Sequence, residues 1–180
     1  MDRKKVLAIS GSTRQNSSNK DLLKAIAKLS EDTIELTFFE ELSQLPHFNP
    51  DDDNENIPDA VRRFRQQLKS AEGVIICTPE YAMGLPGTLK NAIDWTVSSC
   101  EFSHKPVAAI TASTSGKKAH ESLIGTLNVI EAKTNETTQL LISHVKTKVL
   151  HATITDEKTL DEVKKLIASF SEMLAEAKTD

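Results

Sequence analysis

The sequence has few of the features that mark a secreted, membrane-bound or nucleic-acid-binding protein. Its 180 residues include only two cysteines, Cys77 and Cys100, and no Cys-x-x-Cys pair, so it carries no disulfide framework. No apolar stretch approaches the roughly 20 residues of a membrane helix, and the run after the basic N-terminus is too short for a signal peptide. The net charge of −4 argues against a nucleic-acid surface, which needs concentrated positive charge. We therefore expect a cytoplasmic protein with no membrane or nucleic-acid partner.

Metal ligands in a recognisable pattern are also lacking. The five histidines show no pairing with cysteine or with one another. The acidic stretch PDDDNEN at residues 50–56 lacks the glycine and the terminal glutamate of an EF-hand loop. We therefore expect no metal site.

Short apolar runs alternate with helical patterns along the chain. The runs at residues 6–10, 73–77 and 106–112 are apolar at consecutive positions, as in strands that are covered on both faces. Stretches with helical spacing follow them. This alternation predicts a single α/β domain over residues 1–180, with a parallel sheet and helices on both faces. The stretch at 137–154 holds one strand or two.

Ligands bind such sheets at the carboxyl ends of the strands, which directs attention to the hydroxyl loop, residues 10–19. Gly11 stands alone there, so neither G-x-G-x-x-G nor a P-loop motif is present. The N-terminus of a following helix favours an anion, hydroxyls add donors, and Arg14 can bind two phosphate oxygens. The loop therefore predicts a site for a terminal monophosphate. Alternatively, Ser18 caps the helix with Asp21 as its partner, but one cap explains only one or two of the polar residues.

The proline loop, residues 78–86, follows the next buried strand. Its prolines and glycine fix a rigid backbone whose N–H and C=O groups can contact the polar edge of a planar ligand. Alternatively, the loop only starts the next helix, at Pro86. Glu80 is either a functional carboxylate or a surface charge.

Two stretches, GSTRQNSSN at 11–19 and TPEYxxxxPGxLKNAIDW at 78–95, resemble the NADPH-dependent FMN reductase family, which includes quinone, azo-dye and chromate reductases. The resemblance covers residues 6–130. It implies a flavodoxin-like three-layer sandwich whose five-stranded parallel sheet has the order 2-1-3-4-5. It also implies a homodimer or homotetramer, with the helix that contains KNAIDW at the contact.

The activity that the resemblance implies is an FMN-dependent NAD(P)H oxidoreductase. Hydride would pass from NADPH or NADH through bound FMN to a small oxidised acceptor, such as a quinone, a flavin, an azo compound or a metal ion, by a ping-pong mechanism. No side chain is required as a catalytic acid, base or nucleophile. A flavodoxin-type electron carrier and a non-catalytic flavin-binding module remain as alternatives.

The resemblance also implies which residues bind the flavin. Ser12, Arg14, Ser17 and Asn19 correspond to phosphate ligands, and Pro79, Glu80 and Tyr81 would lie along the isoalloxazine ring. The full predicted set is Ser10, Ser12, Arg14, Ser17, Ser18, Asn19, Pro79, Glu80, Tyr81, Ala82, Met83, Ser113, Thr114, Ser115 and Gly116.

The chain departs from the family pattern at two places. Ala82 stands where many relatives have asparagine, so any side-chain contact made there is lost. The serine loop, residues 113–118, has only Gly116 where relatives are often glycine-rich, although Ser113, Thr114 and Ser115 can still supply donors.

Overall fold

A computed structural model describes residues 3–177 of the chain. Five parallel strands form the central sheet in the order β2-β1-β3-β4-β5. Their bounds are β1 (Lys4–Ser10), β2 (Ile34–Phe39), β3 (Gly73–Thr78), β4 (Val107–Ser113) and β5 (Gln139–Ser143). The predicted parallel sheet and its 2-1-3-4-5 order are confirmed.

The strand register places the start of β3 beside the middle of β1. Val6 lies opposite Leu36 of β2 on one side and Gly73 of β3 on the other. The chain therefore leaves β1 in one direction for β2 and returns to its other side for β3. The carboxyl ends of β1 and β3 meet where the strand order reverses, and a crevice forms at such a point.

Within residues 3–177, six α-helices cover the two faces of the sheet. They are α1 (Ser18–Leu29), α2 (Asp59–Ser70), α3 (Gly87–Asp94), α4 (Lys117–Val129), α5 (Val145–Lys148) and α6 (Glu157–Glu176). The buried residues of α1 and α6 form one apolar cluster with one face of the sheet, and those of α2, α3 and α4 form a second with the other face. None of the helices in residues 3–177 is long and apolar enough to cross a membrane.

Successive residues of β1 explain the two clusters. Val6 and Ala8 face α1 and α6, whereas Leu7 and Ile9 face the other layer. All four are almost fully buried, so the strand needs apolar side chains at each of these four positions. The continuous apolar run is therefore a consequence of the three-layer packing.

The region after residue 137 contains one strand of the main sheet and a separate hairpin. β5 is followed by the single turn α5 and then by the antiparallel pair β6 (Val149–Leu150) and β7 (Thr153–Ile154). The hairpin packs against α1, because Val149 and Ile154 belong to the same buried cluster as Leu22 and Ile26.

Candidate functional site

A cavity of about 580 Å³ lies at the carboxyl ends of the central strands. Its size is within the range of roughly 300–1,000 Å³ that is usual for small-molecule sites. The residues that line it come from the three loops named above, from the first turn of α1, from the end of β4 and from the segment after β5. They are Ser12, Arg14, Asn16, Ser17, Ser18, Asn19, Asp21, Pro79, Glu80, Tyr81, Ala112, Ser113, Thr114, His144, Val145, Lys146, Thr147, Val149, Leu150 and His151.

The N-terminus of α1 faces this cavity with unused donors. The residue that caps the helix is Ser17, in an extended conformation, and its side chain makes no capping bond. Its Oγ is buried without a hydrogen-bond partner within residues 3–177. The proposed cap Ser18 is instead the first residue of the helix, so that alternative is wrong. A buried, unpartnered hydroxyl beside free N–H groups of a first helical turn is suited to an anion.

Close packing fixes the hydroxyl loop against β3. The N–H of Gly11 donates to the carbonyl of Cys77 at 2.8 Å. A Cβ added to Gly11 would lie 2.4 Å from the Thr78 Oγ1, so only glycine lets the loop approach this closely. Ser10 stabilises the same turn, because its Oγ donates to the Ser12 carbonyl and accepts from the Ser12 N–H. Ser12 lines the cavity, whereas Ser10 does not.

Asn19 connects the first helix to the sheet through its side chain. Its Nδ2 donates to the Ala112 carbonyl at 3.2 Å, and its Oδ1 accepts from the Cys77 Sγ at 3.2 Å. Burial raises the pKa of the Cys77 thiol, which keeps its proton and remains a donor. The Asn19 amide is therefore held in place by the sheet, and its second N–H and its backbone N–H remain for a ligand.

The proline loop contains a tight two-residue turn next to the cavity residue Tyr81. Tyr81 and Gly84 exchange two backbone hydrogen bonds of 3.0 Å, and φ is 48° at Ala82 and 62° at Met83. Positive φ at both central residues defines a type I′ turn. Tyr81 is 46% exposed and lines the cavity, whereas Ala82 and Met83 are not among its lining residues.

Glu80 joins the proline loop to the serine loop. Its N–H donates to the Ser113 Oγ at 3.2 Å, and its Oε2 accepts from the Ala119 N–H at 3.0 Å. Ala119 is in the first turn of α4, whose capping residue Gly116 has no side chain to offer. The carboxylate thus caps α4 from a different loop. Its negative charge also interacts favourably with the positive end of the helix dipole.

The serine loop contributes only part of its length to the cavity. Ser113 and Thr114 line the cavity, whereas Ser115 and Gly116 do not. The Ser115 carbonyl accepts from Ser143 at 3.0 Å. Gly116 has a φ of 91°, and a Cβ there would lie 2.9 Å from the Leu141 side chain. Glycine at position 116 therefore allows the left-handed backbone and the close approach to Leu141.

Sequence reasoning missed the rim segment, residues 144–151, which contributes seven of the lining residues. It carries no motif, and only its position after β5 relates it to the site. That position would have identified it if β5 had been located, because every central strand points its carboxyl end at the cavity. No group of three or more His, Cys, Asp or Glu is placed to hold a metal ion in the part of the chain that the structure describes.

The strand order and the crevice at its reversal define a flavodoxin-like protein. Residues 4–147 match the sequence profile of the NADPH-dependent FMN reductases, and the chain belongs to this family.

Two curated relatives and one solved structure show how close the similarity is. A 2-hydroxy-1,4-benzoquinone reductase of a Burkholderia species is 40% identical over 91 residues, which cover 51% of this chain and 49% of that protein. An NAD(P)H-dependent FMN reductase of Pseudomonas aeruginosa is 42% identical over 113 residues, covering 61% and 60%. The matches therefore span about half to three fifths of these relatives.

The fold is also similar to that of FerB, a flavoenzyme NAD(P)H:(acceptor) oxidoreductase from Paracoccus denitrificans. The TM-score is 0.78 at 26% identity, over 96% of this chain and 98% of that chain.

Proposed function

We propose that the protein is an FMN-dependent NAD(P)H oxidoreductase that reduces a small oxidised acceptor of the quinone class. The observation that carries the proposal is the unpartnered hydroxyl of Ser17, which is 6% exposed and lines the cavity at the start of α1. Such a group costs stability unless a ligand satisfies it. A phosphate at the helix N-terminus would do so, and family membership supports FMN as its source.

The remaining residues fit the rest of a flavin. Ser12 and the first turn of α1 supply neutral donors, and Arg14 supplies a charge for the phosphate. Pro79 to Tyr81 and Ser113 with Thr114 would lie beside the isoalloxazine ring, where their backbone groups orient it. When bound, FMN would supply the redox chemistry between NADPH or NADH and the acceptor.

The chain's own contribution is to bind, orient and leave one aromatic surface open. Tyr81 is exposed at the cavity, and a nicotinamide and a quinone both need a planar surface to contact. We propose that the nicotinamide and the quinone occupy the same place beside Tyr81, one after the other, which gives a ping-pong order. The name of the Burkholderia relative, a benzoquinone reductase, supports a quinone as acceptor.

Reconstitution followed by reduction tests this function. The purified protein is incubated with FMN, separated from free flavin and mixed with NADPH without oxygen. Rapid loss of the flavin absorbance and its return on adding a benzoquinone are expected. A bound flavin that stays oxidised with both NADPH and NADH would indicate an electron carrier, and failure to retain FMN would contradict the cofactor assignment.

We further propose that two copies associate through a groove between α3 and α4. The groove has a volume of about 370 Å³, and Val97 and Val129 at its edge are 56% and 83% exposed. Exposed apolar side chains in one patch are typical of an interface. Light scattering should give a dimer mass, and Val129→Glu should shift it toward the monomer. A tetramer would require a second surface, and a wild-type monomer would contradict the proposal.

We also propose that the protein is a single domain in the cytoplasm. Cys77 and Cys100 are both free thiols, which suits a reducing compartment, and we place the protein in the cytoplasm. The one central sheet, covered by a buried cluster on each face, supports a single domain over residues 1–180.

A further inference from the structure

The rim segment forms a second wall of the cavity that also receives the hydroxyl loop. It is anchored to α1, because Val145 and Val149 are 4% and 2% exposed and lie in the same buried cluster as Leu22 and Ile26. Its other side carries exposed residues that line the cavity, including Lys146 and His151. The segment is therefore held on α1 by its buried valines and presents an exposed lysine at the cavity.

Unusual backbone angles fix the shape of this segment. His144 has a φ of 56°, and its N–H donates to the Thr114 carbonyl at 3.1 Å. His151 and Ala152 have φ values of 48° and 56° in the two-residue turn that joins β6 to β7. Turns of this type favour asparagine and glycine, so the residue types of His151 and Ala152 do not by themselves favour these backbone angles. Positive φ at such residues persists where the surrounding structure imposes it, and it is frequent at binding sites.

The charges around the hydroxyl loop do not balance those of a phosphate monoester. A phosphate monoester carries roughly −1.5 to −2 charges at pH 7. Arg14 offers one positive charge, and a helix N-terminus adds about half a charge. Asp21 lines the same cavity and adds one negative charge. The hydroxyl loop with α1 therefore falls well short of neutralising a phosphate.

Lys146 can make up this deficit. It is the one lysine among the described residues that line the cavity. Its ammonium group has no ion-pair partner within residues 3–177, although other surface lysines such as Lys118 and Lys158 do. A lysine held at a cavity without a partner is available to an anionic ligand.

We propose that Lys146 completes the phosphate subsite, acting with Arg14 to neutralise the phosphate monoester of the bound cofactor. This rests on the proposed function, since the monoester is that of FMN. It adds to the known family motif a cation from a different part of the chain, beyond β5. The protein would therefore distinguish FMN from riboflavin by a contact that the hydroxyl loop does not make.

Flavin titration of the cofactor-free protein tests the proposal. FMN and riboflavin are each titrated while flavin fluorescence is followed, with Lys146→Gln, Lys146→Arg and the control Lys148→Gln. Lys148 lies on the same helical turn but does not line the cavity. We expect Lys146→Gln to weaken FMN binding roughly five- to tenfold, the effect of losing one exposed charge-assisted contact. Riboflavin binding should not change, Lys146→Arg should restore most of the FMN affinity, and Lys148→Gln should behave as wild type.

Three results would overturn the proposal. FMN affinity of Lys146→Gln within twofold of wild type would show that the lysine does not contact the phosphate. An equal loss for FMN and riboflavin would show that Lys146 only shapes the cavity. A changed NADPH-to-NADH preference with unchanged FMN affinity would assign the contact to the 2′-phosphate of the dinucleotide. Failure of the wild-type protein to bind either flavin is a separate outcome, because it refutes the proposed function itself.

Discussion

The hydroxyl of Ser17 should oppose stability in the cofactor-free protein and support cofactor binding. Its Oγ is buried without a partner, and an unsatisfied buried hydroxyl costs about 1–3 kcal/mol. Because the Ser17 side chain makes no capping bond, Ser17→Ala removes no hydrogen bond from the helix. We expect this substitution to raise the free energy of unfolding of the cofactor-free protein by about 1 kcal/mol, or the melting temperature by roughly 2–4 °C.

The effect on cofactor binding should have the opposite sign. A hydrogen bond to a charged group is worth about 1.5–3 kcal/mol, so Ser17→Ala should weaken FMN binding roughly ten- to hundredfold. At an FMN concentration of 100 times the wild-type Kd, the ligand stabilises wild type by about 2.7 kcal/mol but a tenfold weaker variant by only about 1.4 kcal/mol. The stability gained by the variant without FMN is therefore cancelled at saturating FMN.

Ser30 provides a matched control at the other end of α1. It is also buried, but its Oγ donates to the Ile26 carbonyl at 2.8 Å. Ser30→Ala should therefore lower the free energy of unfolding by about 1 kcal/mol and leave FMN affinity unchanged. Urea denaturation with and without FMN measures both effects. If Ser17→Ala destabilises the cofactor-free protein as Ser30→Ala does, the hydroxyl has a partner in the protein and the reasoning is refuted.

Three further substitutions test the contacts around the cavity. Gly116→Ala, with a Cβ 2.9 Å from Leu141 and a φ of 91°, should destabilise the protein by about 2–3 kcal/mol in urea, whereas no change would show that α4 shifts freely. Glu80→Gln should lower the melting temperature through a loss of about 0.5–1 kcal/mol, because it removes the charge that caps α4; an unchanged melting temperature would contradict that role. Burial lowers the pKa of His120, so below its ordinary pKa of about 6.5 the unfolded chain binds the proton more readily. Stability should therefore be full above that pH and fall as the pH drops through it, with a smaller decline in His120→Gln; equal declines in urea titrations would exclude this contribution.

The sheet was predictable because its interior strands are buried on both faces. Every residue of β3 is buried, so its sequence is a continuous apolar run that ends at the proline loop. The order of the strands came from the family resemblance, since apolar runs do not say which strands are neighbours. The two loops that follow β1 and β3 were located correctly at the cavity because strand ends meet there.

The cavity lining does not include every residue that the sequence assigned to the flavin, and those assignments stay predictions. Ser10, Ala82, Met83, Ser115 and Gly116 lie in the predicted loops but do not line the cavity. Side-chain direction depends on backbone angles that the residue types do not reveal. At Ala82 and Met83 the type I′ turn determines the direction, and it uses residues that rarely adopt positive φ.

The rim segment was not predictable for a different reason. β6 and β7 have two residues each, too few to show any alternation. Their position depends on Val149 and Ile154 packing on α1, which lies more than 100 residues earlier in the chain. Long-range packing of this kind leaves no local pattern.

The two sides of the cavity nevertheless share one physical property. Among residues 3–177, five of the eight non-glycine residues with positive φ lie in or directly next to the proline loop and the rim segment, namely Ala82, Met83, His144, His151 and Ala152. Each such conformation costs roughly 1–2 kcal/mol and is favourable only where packing elsewhere supports it. Both turns connect to rigid elements, the proline loop through Glu80 to α4 and the rim segment through Val149 to α1. The cavity therefore has its shape before a ligand arrives, and binding energy need not be spent on ordering its walls.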